Sequence, residues 1–189
     1  MTNKELAILS LIVEKPRHGY EIEQIIEERE MREWTEVGFS SIYYILKKLQ
    51  SKGWVQSRTE HVGGQGPARK VYHSTSEGQA AWHEATLDAL SRLQRPQTTF
   101  QLGLANLPGI AVEEAVAALH QYCKRLAERR EHIRARTREY VPLPHHVDAM
   151  FDLSLTLIEA ELAWVKRFIH KLESREHQEG PANVETQAG

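Results

Sequence analysis

The chain has 189 residues, 41% of them hydrophobic and 26% charged, with a formal net charge of -2. That mix fits one ordinary domain or two small ones and excludes wholesale disorder. The single cysteine, Cys123, excludes an intramolecular disulfide. The longest apolar run, Leu6 to Val13, is too short to span a membrane and lacks the flanks of a signal peptide, so a cytoplasmic protein is expected.

Asn3 to about Val13 reads as a first helix, with Leu6, Leu9, Ile12 and Val13 turned toward a core. Lys15-Pro16-Arg17 interrupts it, because proline disfavours helix at the residue before it. His18 to about Met31 reads as a second helix built on Ile22, Ile25 and Ile26, with His18 as a cap or packing residue. Trp34 and Val37 fall in the next link and are expected to pin it to the core.

A third helix spans Phe39 to Lys52. Ile42, Ile45, Leu46 and Leu49 share one face, while Ser40, Ser41, Tyr44, Lys47, Lys48 and Ser51 share the other. Gly53 suits a left-handed helix stop. A strand from Trp54 to Glu60, a glycine-rich tip at Gly63–Pro67 and a returning strand through Arg69–His73 complete the pattern of a winged helix-turn-helix.

Charge singles out the same stretch. Between Gly38 and Thr75 the cations are Lys47, Lys48, Lys52, Arg58, Arg69 and Lys70, against one acid, Glu60. From Met1 to Val37 nine glutamates outnumber the cations. A near-neutral total therefore hides a basic stripe, and a DNA-binding surface needs such a local concentration, because phosphate contacts supply most of the affinity.

Beyond the hairpin, Ser74–Gly78 supplies capping residues for a helix from about Glu77 to Gln94 carrying Ala81, Trp82, Ala85, Leu90 and Leu93. Arg95–Thr98 marks a boundary. The rest reads as two long helices, about Ala111–Glu139 and His145–Ser174, joined by Val141-Pro-Leu-Pro144. Val112, Val116, Leu119, Cys123, Leu126, Arg130 and Ile133 follow a heptad-like rhythm, as do Phe151, Leu155, Ile158, Leu162, Val165, Ile169 and Leu172. Trp164 and Phe168 widen the second stripe beyond what one helix covers, which argues for a second chain.

The fold expected is therefore mainly α. Residues 1–95 form a winged-helix domain with a small β-hairpin. Residues 96–175 form an antiparallel long-helix dimerisation domain, and residues 176–189 a disordered tail. Trp82, Tyr122, Phe151, Trp164 and Phe168 are candidates for an aromatic effector pocket, against the plainer reading of core packing. No catalytic constellation is present. The glycine tip lacks the Lys-Ser/Thr ending of a phosphate loop, and His145 and His146 are adjacent and cannot share a helix face. Neither an enzyme nor a cofactor or metal is expected.

Three motifs carry a family resemblance: Lys15-Pro-Arg-His-Gly-Tyr-Glu-Ile22, Ser41-Ile-Tyr-Tyr-Ile-Leu-Lys-Lys-Leu49 with Lys52-Gly53, and Gly66-Pro-Ala-Arg-Lys-Val-Tyr72 with Thr75-Ser-Glu-Gly78. In this order and spacing they resemble the PadR family of bacterial transcriptional regulators, in its subgroup with long C-terminal helices. The resemblance covers roughly the first eighty residues. It implies a homodimeric repressor of operator DNA, in some members released by a small aromatic molecule. It further implies that Ser40, Ser41, Tyr43, Tyr44, Lys47 and Lys48 face the major groove or its flanking phosphates, that Tyr20 lies near the backbone, and that Gly64, Gln65, Arg69 and Lys70 approach the minor groove. The chain departs from many relatives at Tyr44, where they have proline. The alternative is a winged helix that binds protein or sequesters a ligand without binding DNA.

Overall fold

A computed structural model describes residues 1–35, 37–38, 41–61, 68–93, 98–139 and 142–179. The expectations for Ser40, for the wing tip with Gly64 and Gln65, and for residues 180–189 lie outside these. The chain divides into two compact units, Met1–Arg95 and Pro96–Gly189.

In the first unit, α1 (Asn3–Glu14) opens with a reciprocal cap. The Glu5 amide donates to the Thr2 hydroxyl and the Thr2 amide to the Glu5 carboxylate. Ile8, Leu9, Leu11 and Ile12 are buried. After Pro16, the buried Arg17 donates through Nε to the Leu11 carbonyl at 2.8 Å and pairs with Glu14 and Glu21. A charged residue thus closes the end of α1 from inside.

Arg17 and His18 also form β1, a strand the sequence pattern does not reveal. It pairs antiparallel with β3 (Ala68–Ser74), which pairs in turn with β2 (Val55–His61), giving the order β1-β3-β2. The wing is therefore anchored to the entry of α2 (Gly19–Glu28), where the His18 ring caps the helix by accepting the Glu21 amide.

The second helix ends earlier than its apolar spacing suggests. Glu30 turns left-handed with a φ of 49°, and a short α3 (Arg32–Thr35) restarts the chain. Met31 and Thr35, one turn apart, take the inward positions, and the Thr35 hydroxyl donates to the Met31 carbonyl. Trp34 is consequently turned out, 55% exposed, contrary to the expected pin; Val37 does fill the core.

Helix α4 (Ser41–Ser51) buries Ile42, Ile45, Leu46 and Leu49 and stops at Gly53, whose φ is +73°. Helix α5 (Ser76–Ser91) is capped by Thr75. Its Gly78 lies on the Trp54 carbonyl so closely that a Cβ there would sit 2.0 Å from the oxygen. Trp82 packs on the core, whereas Leu87, Leu90 and Leu93 further along are exposed. Only the first part of α5 therefore packs on the core.

The second unit comprises α6 (Thr99–Ala105), a 3-10 turn (Leu107–Gly109), α7 (Val112–Glu139) and α8 (His145–Glu179). Leu119 on α7 packs with Val165 and Ile169 on α8, flanked by Val116, Tyr122, Cys123, Phe168 and Leu172. Tyr122 meets Glu161 and, further along α7, Arg134 meets Glu159, so the two helices run antiparallel. At 1.5 Å per residue, α8 is about 50 Å long. It extends to Glu179, past the expected start of the tail.

Candidate nucleic-acid interface

The expected reading surface is assembled from three elements of the first unit. The Tyr43 ring comes up against the start of α2, and Gly19 makes room for it: a Cβ there would meet the ring at 2.6 Å. Arg69 and Lys70 come from β3, which β1 holds against the same spot through the pair His18↔Val71. The result is an open cleft of about 550 Å³ lined by His18, Tyr20, Tyr43, Arg69, Lys70 and Tyr72. Four residues nominated from the sequence, Tyr20, Tyr43, Arg69 and Lys70, meet here, although up to fifty positions separate them.

The remaining side chains of α4 divide between two faces. Tyr43, Lys47 and Gln50 follow at spacings of four and three, which places them side by side. Gln50 accepts from Lys70 and donates to the Ser57 hydroxyl, so this face adjoins the wing. Lys47 is exposed on it. Lys70 also lies over the Tyr72 ring, 5.3 Å from its centroid. Tyr43 and Tyr44 are 58% and 68% exposed, while Tyr72 is buried. The Ser41 hydroxyl donates to the Gly38 carbonyl and so belongs to the helix entry.

Lys48 behaves differently from Lys47. It and Lys52 reach the carboxylate of Glu5 on α1, at 3.0 and 2.8 Å, and Glu5 is only 2% exposed. Burial opposes the ionisation of Glu5. The hydrogen bonds from Lys52, from the Thr2 amide and from Lys48 outweigh it and hold the carboxyl down at about 2. The hydrogen bond and charge of Glu5 in turn raise Lys48 above its ordinary value. Lys48, expected at the DNA face, thus shares the single charge of Glu5 with Lys52, and the pair is offset by one charge of its two. Lys52 also covers the Trp54 ring at 4.3 Å. Glu5 is the functional neighbour that sequence reasoning missed, since its capping position accounts for it without any reference to α4.

In the second unit, Tyr122, Trp164 and Phe168 form one aromatic cluster with Phe100, which the sequence reading did not nominate. Phe100 stacks on Tyr122 at 4.5 Å and meets Trp164 edge-on at 6.2 Å, and Trp164 stacks on Phe168 at 5.1 Å. The Tyr122 hydroxyl donates to Glu161 at 2.7 Å. Burial, then this hydrogen bond and the Glu161 charge, push the phenol up to about 12. A shallow depression of about 180 Å³ lies between Trp164, Arg167, Phe168 and Lys171. Phe151 lies thirteen residues before Trp164 on α8, roughly 20 Å along the axis, and is not part of this cluster. Trp82 belongs to the first unit, packed on its core. Among the described residues no group of His, Cys, Asp or Glu has the arrangement of a metal site, and no helix is long and apolar enough to cross a membrane.

The family model described as the transcriptional regulator PadR-like family matches residues 8–84. No curated protein matches the chain. Among solved structures, the chain is similar to Bacillus subtilis PadR in complex with operator DNA, at 21% identity and a TM-score of 0.71, over 89% of this chain and 98% of that one. It is similar to Bacillus subtilis PadR in complex with p-coumaric acid at 20% identity and a TM-score of 0.73, over 90% and 99%. The PadR-like regulator BC1756 from Bacillus cereus aligns at 17% identity and a TM-score of 0.68, over 92% and 99%. At these identities the likeness establishes a shared fold.

Proposed function

We propose that the protein, whose residues 8–84 match the PadR-like family of transcriptional regulators, is a cytoplasmic homodimeric repressor that binds a palindromic operator. The observation that carries this reading is the cleft in which Tyr20 and Tyr43 of the helical motif face Arg69 and Lys70 of the wing. In this reading α4 enters the major groove, with Ser40, Ser41, Tyr43, Tyr44 and Lys47 toward bases and flanking phosphates. The wing, including Gly64 and Gln65, lies beside it. Two reading heads then address half-sites about 34–36 Å apart.

Dimerisation is assigned to the long helices. Met150, Leu153, Leu157 and Trp164 on α8 are exposed at steps of three, four and seven, a stripe on one helix face. Such a stripe on a long helix is the pattern of a helix–helix seam. The aromatic cluster with Arg167 and Lys171 beside it suits a small aromatic effector bearing an anionic group. The p-coumaric acid named with the Bacillus subtilis structure is the natural first compound to try.

Selection from a pool of random duplexes, followed by gel shift, tests the central claim. Enrichment of a palindrome retarded by two chains supports it. A selection at low salt that enriches nothing refutes it and favours a winged helix that binds protein. The effector claim fails separately if aromatic acids change neither melting temperature nor operator affinity.

A further inference from the structure

His18 does more at this surface than cap α2. Its Nδ1 accepts the Glu21 amide at 3.0 Å, so that nitrogen carries a lone pair. An imidazole with a lone pair on Nδ1 carries its hydrogen on Nε2. Yet Nη1 of Arg69 lies 3.3 Å from that Nε2, and a guanidinium only donates. Two donors therefore face each other across the mouth of the cleft, and neither satisfies the other. An acceptor between or just above them would satisfy both.

The surroundings define that acceptor. Lys70 and the phenols of Tyr20 and Tyr43 line the same cleft, and among the described residues its lining contains no carboxylate. A concave site made of donors and cations selects an acceptor-only, negatively charged group, that is, a phosphoryl oxygen. The His18 ring is also held in place. Its cap bond fixes one edge, and Tyr20 lies nearly parallel to it at 6.4 Å. A donor fixed in this way binds without giving up rotamer freedom.

We propose that His18 is a DNA-binding residue, and that one phosphodiester oxygen of the duplex bridges His18 Nε2 and Arg69 Nη1 in the cleft between α2 and β3. This rests on the DNA-binding reading above and adds a contact to it. It also couples two functions in one residue, because the bond that starts α2 sets the tautomer that donates to DNA.

The test separates the cap from the contact. Asparagine and serine both cap helices, so His18→Asn and His18→Ser keep α2 while removing the Nε2 donor. Binding to a mixed-sequence duplex is followed by fluorescence anisotropy across a salt series, with circular dichroism confirming the fold. Both variants are expected to weaken binding roughly tenfold, as for one charge-assisted hydrogen bond. The salt slope is unchanged, because a ring with a single N–H releases no counterion. Arg69→Ala weakens binding and lowers the slope by about one. The double variant loses less than the product of the single losses, because both residues act on one oxygen.

Two folded His18 variants that bind as tightly as the native chain overturn the proposal, as do fully multiplicative losses. Binding of inorganic phosphate that His18→Asn abolishes, with duplex affinity intact, overturns it in favour of a free-anion site. A native chain that binds no duplex removes the DNA reading itself; a loss in Arg69→Ala with none in the His18 variants removes only the role of His18.

Discussion

Replacing Glu5 with glutamine isolates the ionic link between α1 and α4. Glutamine serves in the same reciprocal helix cap, so the variant keeps the N-terminal turn and removes the charge that Lys48 and Lys52 share. A carboxyl held at about 2 in place of 4.5 corresponds to about 3 kcal/mol of folding free energy at neutral pH. Because the folded-state value is the depressed one, that stabilisation is complete above the ordinary carboxyl range. It is lost as pH falls from about 4.5 toward 2. The native protein should therefore exceed Glu5→Gln in stability by about 3 kcal/mol at pH 7, and the gap should close on acidification, since the other carboxylates are common to both. Urea unfolding followed by circular dichroism at a series of pH values measures it. A gap that stays constant down to pH 2 would show that packing or capping, not ionisation, sets the role of Glu5.

Further outcomes follow from the same contacts. Lys47→Ala should lower the salt slope of duplex binding by about one, whereas Lys48→Ala should change it by less and reduce stability instead, because the carboxylate of Glu5, shared with Lys52, already offsets part of that charge; equal slopes in anisotropy titrations would contradict the division. Gly78→Ala should cost about 2–3 kcal/mol, since a Cβ 2.0 Å from the Trp54 carbonyl forces backbone apart; an unchanged melting curve would refute this. Leu157→Glu should dissociate the dimer proposed above. Each substitution acts twice across a two-fold axis, so a loss of about 2 kcal/mol per copy becomes about a thousandfold in the dimer constant, and a sedimentation profile identical to that of the native chain would place the seam elsewhere.

Elements with a strong repeat were legible in the sequence. The apolar spacing of Ile42, Ile45, Leu46 and Leu49 and the stop at Gly53 locate α4 and its buried face. The long rhythm through Leu162, Val165 and Ile169 locates the packed side of α8. Short elements set by partners elsewhere were not legible. β1 is two residues long and exists because β3 lies beside it. Helix α3 and the outward turn of Trp34 follow from the left-handed Glu30, a conformation that no periodicity announces. Leu90 and Leu93 look like core residues in a helical repeat, but α5 leaves the body of its unit before reaching them.

The candidate site follows the same division, and the reason lies in how polar groups are matched. The basic residues of the stripe were visible as composition, because a phosphate-binding surface must concentrate cations. Which of them remain available is decided by acids and donors distant in sequence. Glu5 offsets one of the two charges of Lys48 and Lys52, across more than forty positions, and β1 brings His18 to Arg69 across fifty-one. A stripe of six cations is therefore not six phosphate contacts. On the DNA-binding reading proposed above, its effective members are those whose charge the fold leaves unbalanced toward the wing, with Lys47, Arg69 and Lys70 foremost. The salt dependence of binding should count these, and not the stripe as written in the sequence.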